Sequence, residues 1–463
     1  MYPKPSKQKP FHPSFEDQLN HQHPLYHLAN KINWSGLEAA FLPLYCADNG
    51  RPAKPIRLMV GLLILKHIRN LSDENVVAQW EENSYYQYFC GELSFVPGRP
   101  CAPSDLVHFR HRIGKDGMEL IFQESIRIQE DDIHHDKGEV VIDTTVQEKN
   151  ITFPTDDKQR KKIIRKCIDI ARKEGVELRQ TYSRTVKKLS YQQRLRRTKA
   201  QQQLARRADR RIRTIAGRLV RDLKNKLSGA AWERRKAEIA LFERMLAQKR
   251  QDKNKLYSLH EPHVECIAKG KQHKPYEFGS KTSFIIGRNS GIVLGAINIE
   301  HNDYDGHTLD AALDQFEILH GLRPVKAIVD LGYRGRNKVG STLIQTPATP
   351  PNATVAQRHK LRKTMRRRAA IEATISHLKR DHRLNRNYYK GVDGDHYNVL
   401  LAAAAANFAR WMRMASDLYL QFIEALGSLW RSLLHPLSLW KQNRTFFKAS
   451  FHTLGGGYGV FKG

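Results

Sequence analysis

Cysteine is scarce in this chain of 463 residues: there are five (Cys46, Cys90, Cys101, Cys167, Cys266), an odd number with no C-x-x-C pair. That excludes a zinc ribbon or a disulfide framework and suits free thiols in a reducing cytoplasm. Long apolar runs are lacking as well. The two most apolar stretches, Leu58 to Leu65 and Val399 to Phe408, are too short to span a bilayer and are flanked by Arg57, Lys66 and Arg410. The N-terminus is polar, rich in His and Pro, and has no apolar signal core, so export is not expected. Acids are outnumbered, with 47 Asp and Glu against 78 Lys and Arg, a formal charge of +31. Such an excess draws polyanions and releases their counterions on binding, so nucleic acid is the first partner expected and an anionic membrane surface the second. Hydrophobic residues make up 40 %, enough to fill real cores, and the length calls for two or three domains.

Residues 1 to 130 read as helical. "PIRLMVGLLILKHIRNL" starts with Pro55 at its first position, and "SDENVVAQWEENSYYQYF" follows with Ser72 as a cap. "PSDLVHFRHRI" offers Ser104 as the cap of a short basic helix carrying His108, Arg110, His111 and Arg112. Three such helices suit a helix-turn-helix-like DNA reader or an all-helical bundle whose basic residues only solvate it. His12, His21, His23 and His27 cluster near the start without cysteine partners, which is weak grounds for a metal.

The pattern changes at "EVVIDTTV", a short run rich in β-branched residues ending at an aspartate, Asp143, and read as a buried strand. A long insertion follows, 158 to 255, crowded with Lys and Arg and free of Gly and Pro from Val176 to Ile215. Its sparse apolar residues predict a long exposed helix and, after Ser228 and Gly229, a second one: a basic hairpin. Clustered Arg206, Arg207, Arg210 and Arg211 form a footprint for phosphates, although a solvated arm with no specific task has the same composition. Strands resume as a hairpin from Tyr276 to Glu300 around "RNSG". "GHTLDAALDQFEIL" is helical, "VKAIVD" is a strand ending at Asp330, "LGYRG" is a turn, "STLIQTP" is a last strand, and a helix bearing Glu372 closes the order. That is a mixed sheet with crossing helices, an α/β class. From about 417 an aromatic and glycine-rich tail has no assignable role.

In "MRRRAAIEATISHLKR" a single acid stands among many cations. On a helical period Arg368, Glu372 and Lys379 fall within about 40° of one another, beside the apolar stripe of Ile371, Ile375 and Leu378. Taken singly, a strand-end Asp is a turn or cap residue, and a Glu four residues after Arg is an ion pair. If Asp143, Asp330 and Glu372 converge, three carboxylates can hold two Mg²⁺ ions about 4 Å apart for an in-line phosphoryl displacement.

Five segments, "VVIDTTVQEKNITFPTD", "GKQHKPYEFGSKTSF", "HNDYDGHTLDAAL", "IVDLGYRG" and "RRRAAIEATISHLKRDHRLNRNYYKG", together resemble the DDE transposases of bacterial insertion sequences, specifically the insertion-sequence-five family. The resemblance implies a ribonuclease-H-like mixed-sheet catalytic core (137–157 and 256–410), with an all-helical N-terminal DNA-binding domain (1–130), the long basic helical insertion (158–255) and a C-terminal tail (411–463). It implies that Asp143, Asp330 and Glu372 are the catalytic metal ligands for Mg²⁺, with Mn²⁺ as a substitute. Arg368 and Lys379 match the family's Arg-x3-Glu-x6-Lys signature and would touch the transposon end; the signature's leading Tyr is Met365 here. Tyr333 and Arg334 either approach a phosphate beside Asp330 or shape the turn, and Arg110 and Arg112 are candidate DNA contacts of the N-terminal helices. Asp303, Asp305 and His307 read as a loop and helix cap as readily as a functional segment. The expected protein is a cytoplasmic, nucleoid-associated bacterial enzyme, a homodimer or larger on double-stranded DNA, with no membrane partner. A nuclease without strand transfer and a non-catalytic basic DNA-binding protein are the rival readings.

Overall fold

In a computed structural model, residues 13–46, 52–133, 136, 138–249, 251–268, 274–349 and 353–416 are described. His12 and the expected tail from 417 lie outside them. The helix Ile56–Ile68 is buried at every position but Arg57, as an element apolar all round must be. Pro55 caps it from just outside rather than from its first turn. Ser72 accepts from Asn75 N and starts Asp73–Glu82 as expected. The expected single helix then breaks at Asn83, whose side chain accepts from Tyr86 N and starts Ser84–Phe89. The short basic helix is longer than its sequence suggests, Pro103–Arg127. Its cap is Ala102, not Ser104, because Asp105 reaches back to Ala102 N at 2.9 Å, and it is interrupted at Gly114, where φ is 61°.

Among the described residues eight strands form one mixed sheet: β1 Glu139–Lys149, β2 Glu265–Ala268, β3 Tyr276–Gly287, β4 Val293–Ile299, β5 Lys326–Ile328, β6 Lys338–Val339, β7 Thr342–Gln345 and β8 Arg386–Asn387. The long β3 pairs antiparallel with β1 on one side and with β2 and β4 on the other. On its far side β1 runs parallel to β5, which runs parallel to β7, with β6 antiparallel at the edge. Val140, Val141 and Ile142 are all buried, the continuous apolar run of a strand covered on both faces. Gly279 is required where β3 crosses β1, since a Cβ there would lie 1.9 Å from Gln147 O.

The insertion is not a hairpin. It is four helices, Asp156–Lys173, Ser183–Arg194, Lys199–Lys226 and Gly229–Ala247, around a core of their own built from Ile163, Ile212, Leu219, Leu223, Ile239 and Phe242. The chain reverses at Gly175 and Tyr182, both at positive φ, and Thr198 with Gln201 forms a capping box that starts a new helix inside the expected one. A separate and larger apolar cluster runs without interruption from Phe15 through the N-terminal helices and the sheet to Met412.

Candidate active site and nucleic-acid interface

Two parallel neighbours set the site. Val141 pairs with Ile328, and Asp143 and Asp330 each follow two residues later, so the two acids meet at the rim where β5 stops; Asp143 is not the expected strand end, because β1 continues to Lys149. Each uses one oxygen to fix its own backbone. Asp143 Oδ1 accepts from Thr144 N at 2.8 Å, and Asp330 Oδ1 accepts from Gly332 N at 2.7 Å, starting the turn Leu331–Tyr333. Their other oxygens face the same guanidinium: Arg368 Nη2 is 3.6 Å from Asp143 Oδ2 and 3.8 Å from Asp330 Oδ2.

Arg368 stands on the long helix Val355–Asp381, whose buried stripe of Ile371, Ile375 and Leu378 sets it on the core. Among the described residues no ion pair joins Arg368 to Glu372, one turn further on. Glu372 is exposed, and among the described residues no three His, Cys, Asp or Glu side chains are grouped to hold a metal. The structure therefore brings Asp143, Asp330 and Arg368 together and leaves Glu372 at the edge. The two carboxylate oxygens face one guanidinium, whose charge compensates theirs.

Tyr333 is 0 % exposed and lies beneath this rim. Burial first, then the charges of Asp143 and Asp305, push its phenol well above the ordinary value, so it stays protonated. Asp305 does not cap the helix Thr308–His320, where His307 holds the cap position. It reaches Thr144 Oγ1 at 3.1 Å and Lys281 Nζ at 2.9 Å instead.

The remaining candidates divide by exposure. Arg334 is exposed beside the turn, and Arg112 is exposed with its guanidinium over the Tyr45 ring at 4.3 Å. Arg206, Arg207, Arg210 and Arg211 are all exposed on Lys199–Lys226. Arg110 is not at the surface. It is bound through two nitrogens to Asp73, both at 2.8 Å, and packs on the Tyr389 ring beside Lys66. Sequence reading missed Asp73 and Tyr389; the signal was Lys66, a cation in a mostly apolar helix that demands a buried partner. Together they floor a cavity of about 890 Å³ between the N-terminal helices and the end of Val355–Asp381, whose other wall carries Lys379, Arg380, Arg383, Arg386 and Lys390. Among the described residues no helix is long and apolar enough to cross a membrane.

Two families match the chain. Residues 13–112 match the family described as "Transposase domain (DUF772)", and residues 335–412 match "Transposase DDE domain". The chain is also similar to a Rhizobium meliloti protein, "Uncharacterized protein ORF8 in nfe locus", at 39 % identity over 189 residues, 40 % of this chain and 91 % of that one. No solved structure matches.

Proposed function

We propose that this chain, which belongs to the DDE-type transposases, binds the terminal inverted repeats of an insertion sequence of the insertion-sequence-five type, cleaves there, and joins the freed 3′ ends to target DNA. The observation that carries the reading is the pair Asp143 and Asp330, level on parallel strands and joined through Arg368 of the following long helix. The strand order, with β1 central between antiparallel β3 and parallel β5, supports a ribonuclease-H-like core.

In this reading Asp143, Asp330 and Glu372 are the acids of the reaction centre and would hold Mg²⁺ or Mn²⁺, two ions in all. Bound there, the metal supplies charge neutralisation and lowers the pKa of an attacking water or 3′-hydroxyl. Arg368 neutralises Asp143 and Asp330 and lies within reach of a phosphate entering between them. Glu372, one turn along the same face, approaches with the DNA. Tyr333 holds its proton and the floor of the site in place. Lys379 and the cationic cavity wall take the backbone of the transposon end, with Arg334 and Arg112 as further phosphate contacts; Arg110 shapes the wall from beneath. The exposed arginines of the insertion extend the same field. The protein acts in the bacterial cytoplasm on the nucleoid, and synapsis of two ends calls for a homodimer or larger assembly.

Asp143→Asn, Asp330→Asn and Glu372→Gln are each expected to abolish Mg²⁺-dependent nicking and strand transfer of an end-containing duplex while end binding, by gel shift in Ca²⁺, stays within about threefold. Equal loss of binding and cleavage in all three would refute the assignment. Cleavage without joined product would mark a nuclease instead.

A further inference from the structure

The cavity of about 890 Å³ between the N-terminal helices and the end of Val355–Asp381 has the size of a small-molecule site, about 300–1,000 Å³, rather than of a seat for a duplex. Its floor is closed, since Asp73 holds both Lys66 and Arg110. Its wall is open. Arg386 and Lys390 are exposed, and among the described residues no ion pair engages Arg383, Arg386 or Lys390. Tyr388 lines the same wall with 58 % of its surface exposed, and the Arg383 guanidinium stands 5.5 Å from the centre of its ring. Backbone strain gathers here as well. Among the described residues three other than glycine adopt positive φ, and two of them, Asn70 at 55° and Arg383 at 67°, line this cavity. Arg383 follows His382, the cap of Val355–Asp381, at a position that helices usually give to glycine. An arginine there crowds its own Cβ against the following carbonyl, and such a residue persists only where its neighbours over-determine it. They do so: Asn398 Nδ2 donates to Arg383 O at 3.2 Å, and Asn70 Nδ2 donates to Arg380 O at 3.0 Å. The turn itself gives no reason for an arginine, so its use lies in the side chain.

We propose that the cavity is a pocket for one unpaired nucleotide of a DNA strand, whose base stacks on Tyr388 and whose phosphates meet Arg383 and Arg386. The inference deepens the reading of this wall as the seat of the transposon end and rests on it. Paired bases are stacked on one another and cannot enter a concave site. An unpaired base can, because an aromatic ring replaces the stacking that it loses and cations take the phosphates beside it. The wall carries more positive charge than one free nucleotide can use, with Lys379 and Lys390 on it as well, so a strand with flanking phosphates is the better match.

The test is fluorescence anisotropy of the full chain with a fluorescein-labelled single-stranded thymidine pentamer and with an abasic pentamer of the same sugar–phosphate backbone. The pentamer with bases is expected to bind at least tenfold more tightly. Tyr388→Ala should erase that preference and leave abasic binding within twofold, while Tyr388→Phe should keep it. Tyr191→Ala, which truncates an exposed tyrosine of the insertion, should change neither by more than twofold. Arg383→Asn keeps a residue that tolerates positive φ and removes the cation; it should weaken both pentamers at least fivefold. Equal binding of the two pentamers to the parent, or a preference that survives in Tyr388→Ala, overturns the proposal. So does thymidine 3′,5′-bisphosphate binding as tightly as the pentamer, which would mark a site for a free nucleotide. A gel shift with an end-containing duplex separates the two levels. An end bound no better than a scrambled duplex, with the base preference intact, refutes the reading of the transposon end; an end bound specifically, with no base preference, refutes the pocket alone.

Discussion

Asp73→Asn tests what holds the helical part of the chain to the part that bears the long basic helix. Asp73 accepts from Lys66 Nζ and from both terminal nitrogens of Arg110, each at 2.8 Å, and the two cations are 3 % and 5 % exposed. Both also sit 4.4 Å from the centre of the Tyr389 ring. Asparagine preserves the shape but leaves two buried positive charges side by side, and breaking a buried pair from one end costs about 3–5 kcal/mol. A second route gives the same order. Burial pushes the Asp73 carboxyl up, but the hydrogen bonds of Arg110 and the charge of Lys66 outweigh it and bring it from 3.8 to about 2. That drop is worth roughly 2–2.5 kcal/mol, the same order as the first figure. The sign follows from the depressed value: this stability is complete above about pH 4 and is lost as pH falls toward 2. Urea unfolding read from tryptophan fluorescence reports on it, since Trp34 and Trp80 are buried in the same helical region. The variant should lose several kcal/mol at pH 7, while Asp73→Leu with Lys66→Met and Arg110→Met should recover most of it, an apolar core having no charges to compensate. A single variant within about 1 kcal/mol of the parent would refute the reasoning.

Two further outcomes are expected. Replacing Arg206, Arg207, Arg210 and Arg211 by Gln should flatten the plot of log affinity for DNA against log salt by roughly 0.9 for each arginine that meets a phosphate; an unchanged slope would mean that the insertion does not reach the duplex. His67 is 0 % exposed, and burial, reinforced by the charges of Lys66 and Arg383, holds its imidazole well below 6.5. It is neutral in the fold and takes a proton on unfolding, so stability is full above pH 6.5 and falls below it by at most about 1.4 kcal/mol per pH unit. His67→Gln should flatten the pH series of urea midpoints between 6.5 and 5, and an equally steep series would show that the group is not the sensor.

The strands that carry the site were legible because each is a β-branched run: the β3–β4 hairpin, β5 and β7 fall where the pattern puts them, and β1 starts there but runs on past Asp143 to Lys149, held by its pairing with β3. β2, β6 and β8 were not, being two to four residues long and specified by their pairing partners rather than by any period of their own. The insertion misled for a related reason. Absence of Gly and Pro permits one long helix but does not require it, and Tyr182 adopts positive φ without being a glycine. At the site, composition ranked residues by charge, whereas folding sorts them by depth. Arg110 and the exposed arginines of Lys199–Lys226 look alike in sequence, yet one is committed to Asp73 and the others face solvent. Asp305 looked like a cap because it precedes a helix; only the approach of β1 and β3 reveals Thr144 and Lys281 as its partners.

The N-terminal helices are not a reader on a tether, and a buried polar chain gives the reason. His67 Nε2 meets Asn398 Oδ1 at 3.4 Å, Asn398 Nδ2 donates to Gln147 Oε1 at 2.6 Å, and Gln147 sits on β1, four residues after Asp143. Next to it Lys149, also on β1, pairs with Asp395 at 2.6 Å, and Asn387 of β8 donates to the same carboxylate at 2.6 Å. Buried polar groups of this kind are tolerated only when each finds its partner, so they admit one docking of helices on sheet and penalise every other. In the proposed reading, a contact made by DNA on the cavity wall would thereby be fixed in distance and angle to the strand that carries Asp143. The cavity floor obeys the same rule: Asp73, Arg110 and Lys66 close on Tyr389 only when the helix Pro103–Arg127 and the segment after Asp381 are both in place. Rigid placement of this kind is what a cleavage site fixed at a set distance from a recognised sequence demands, because an error of about 1 Å at the reacting phosphate can cost a hundredfold in rate.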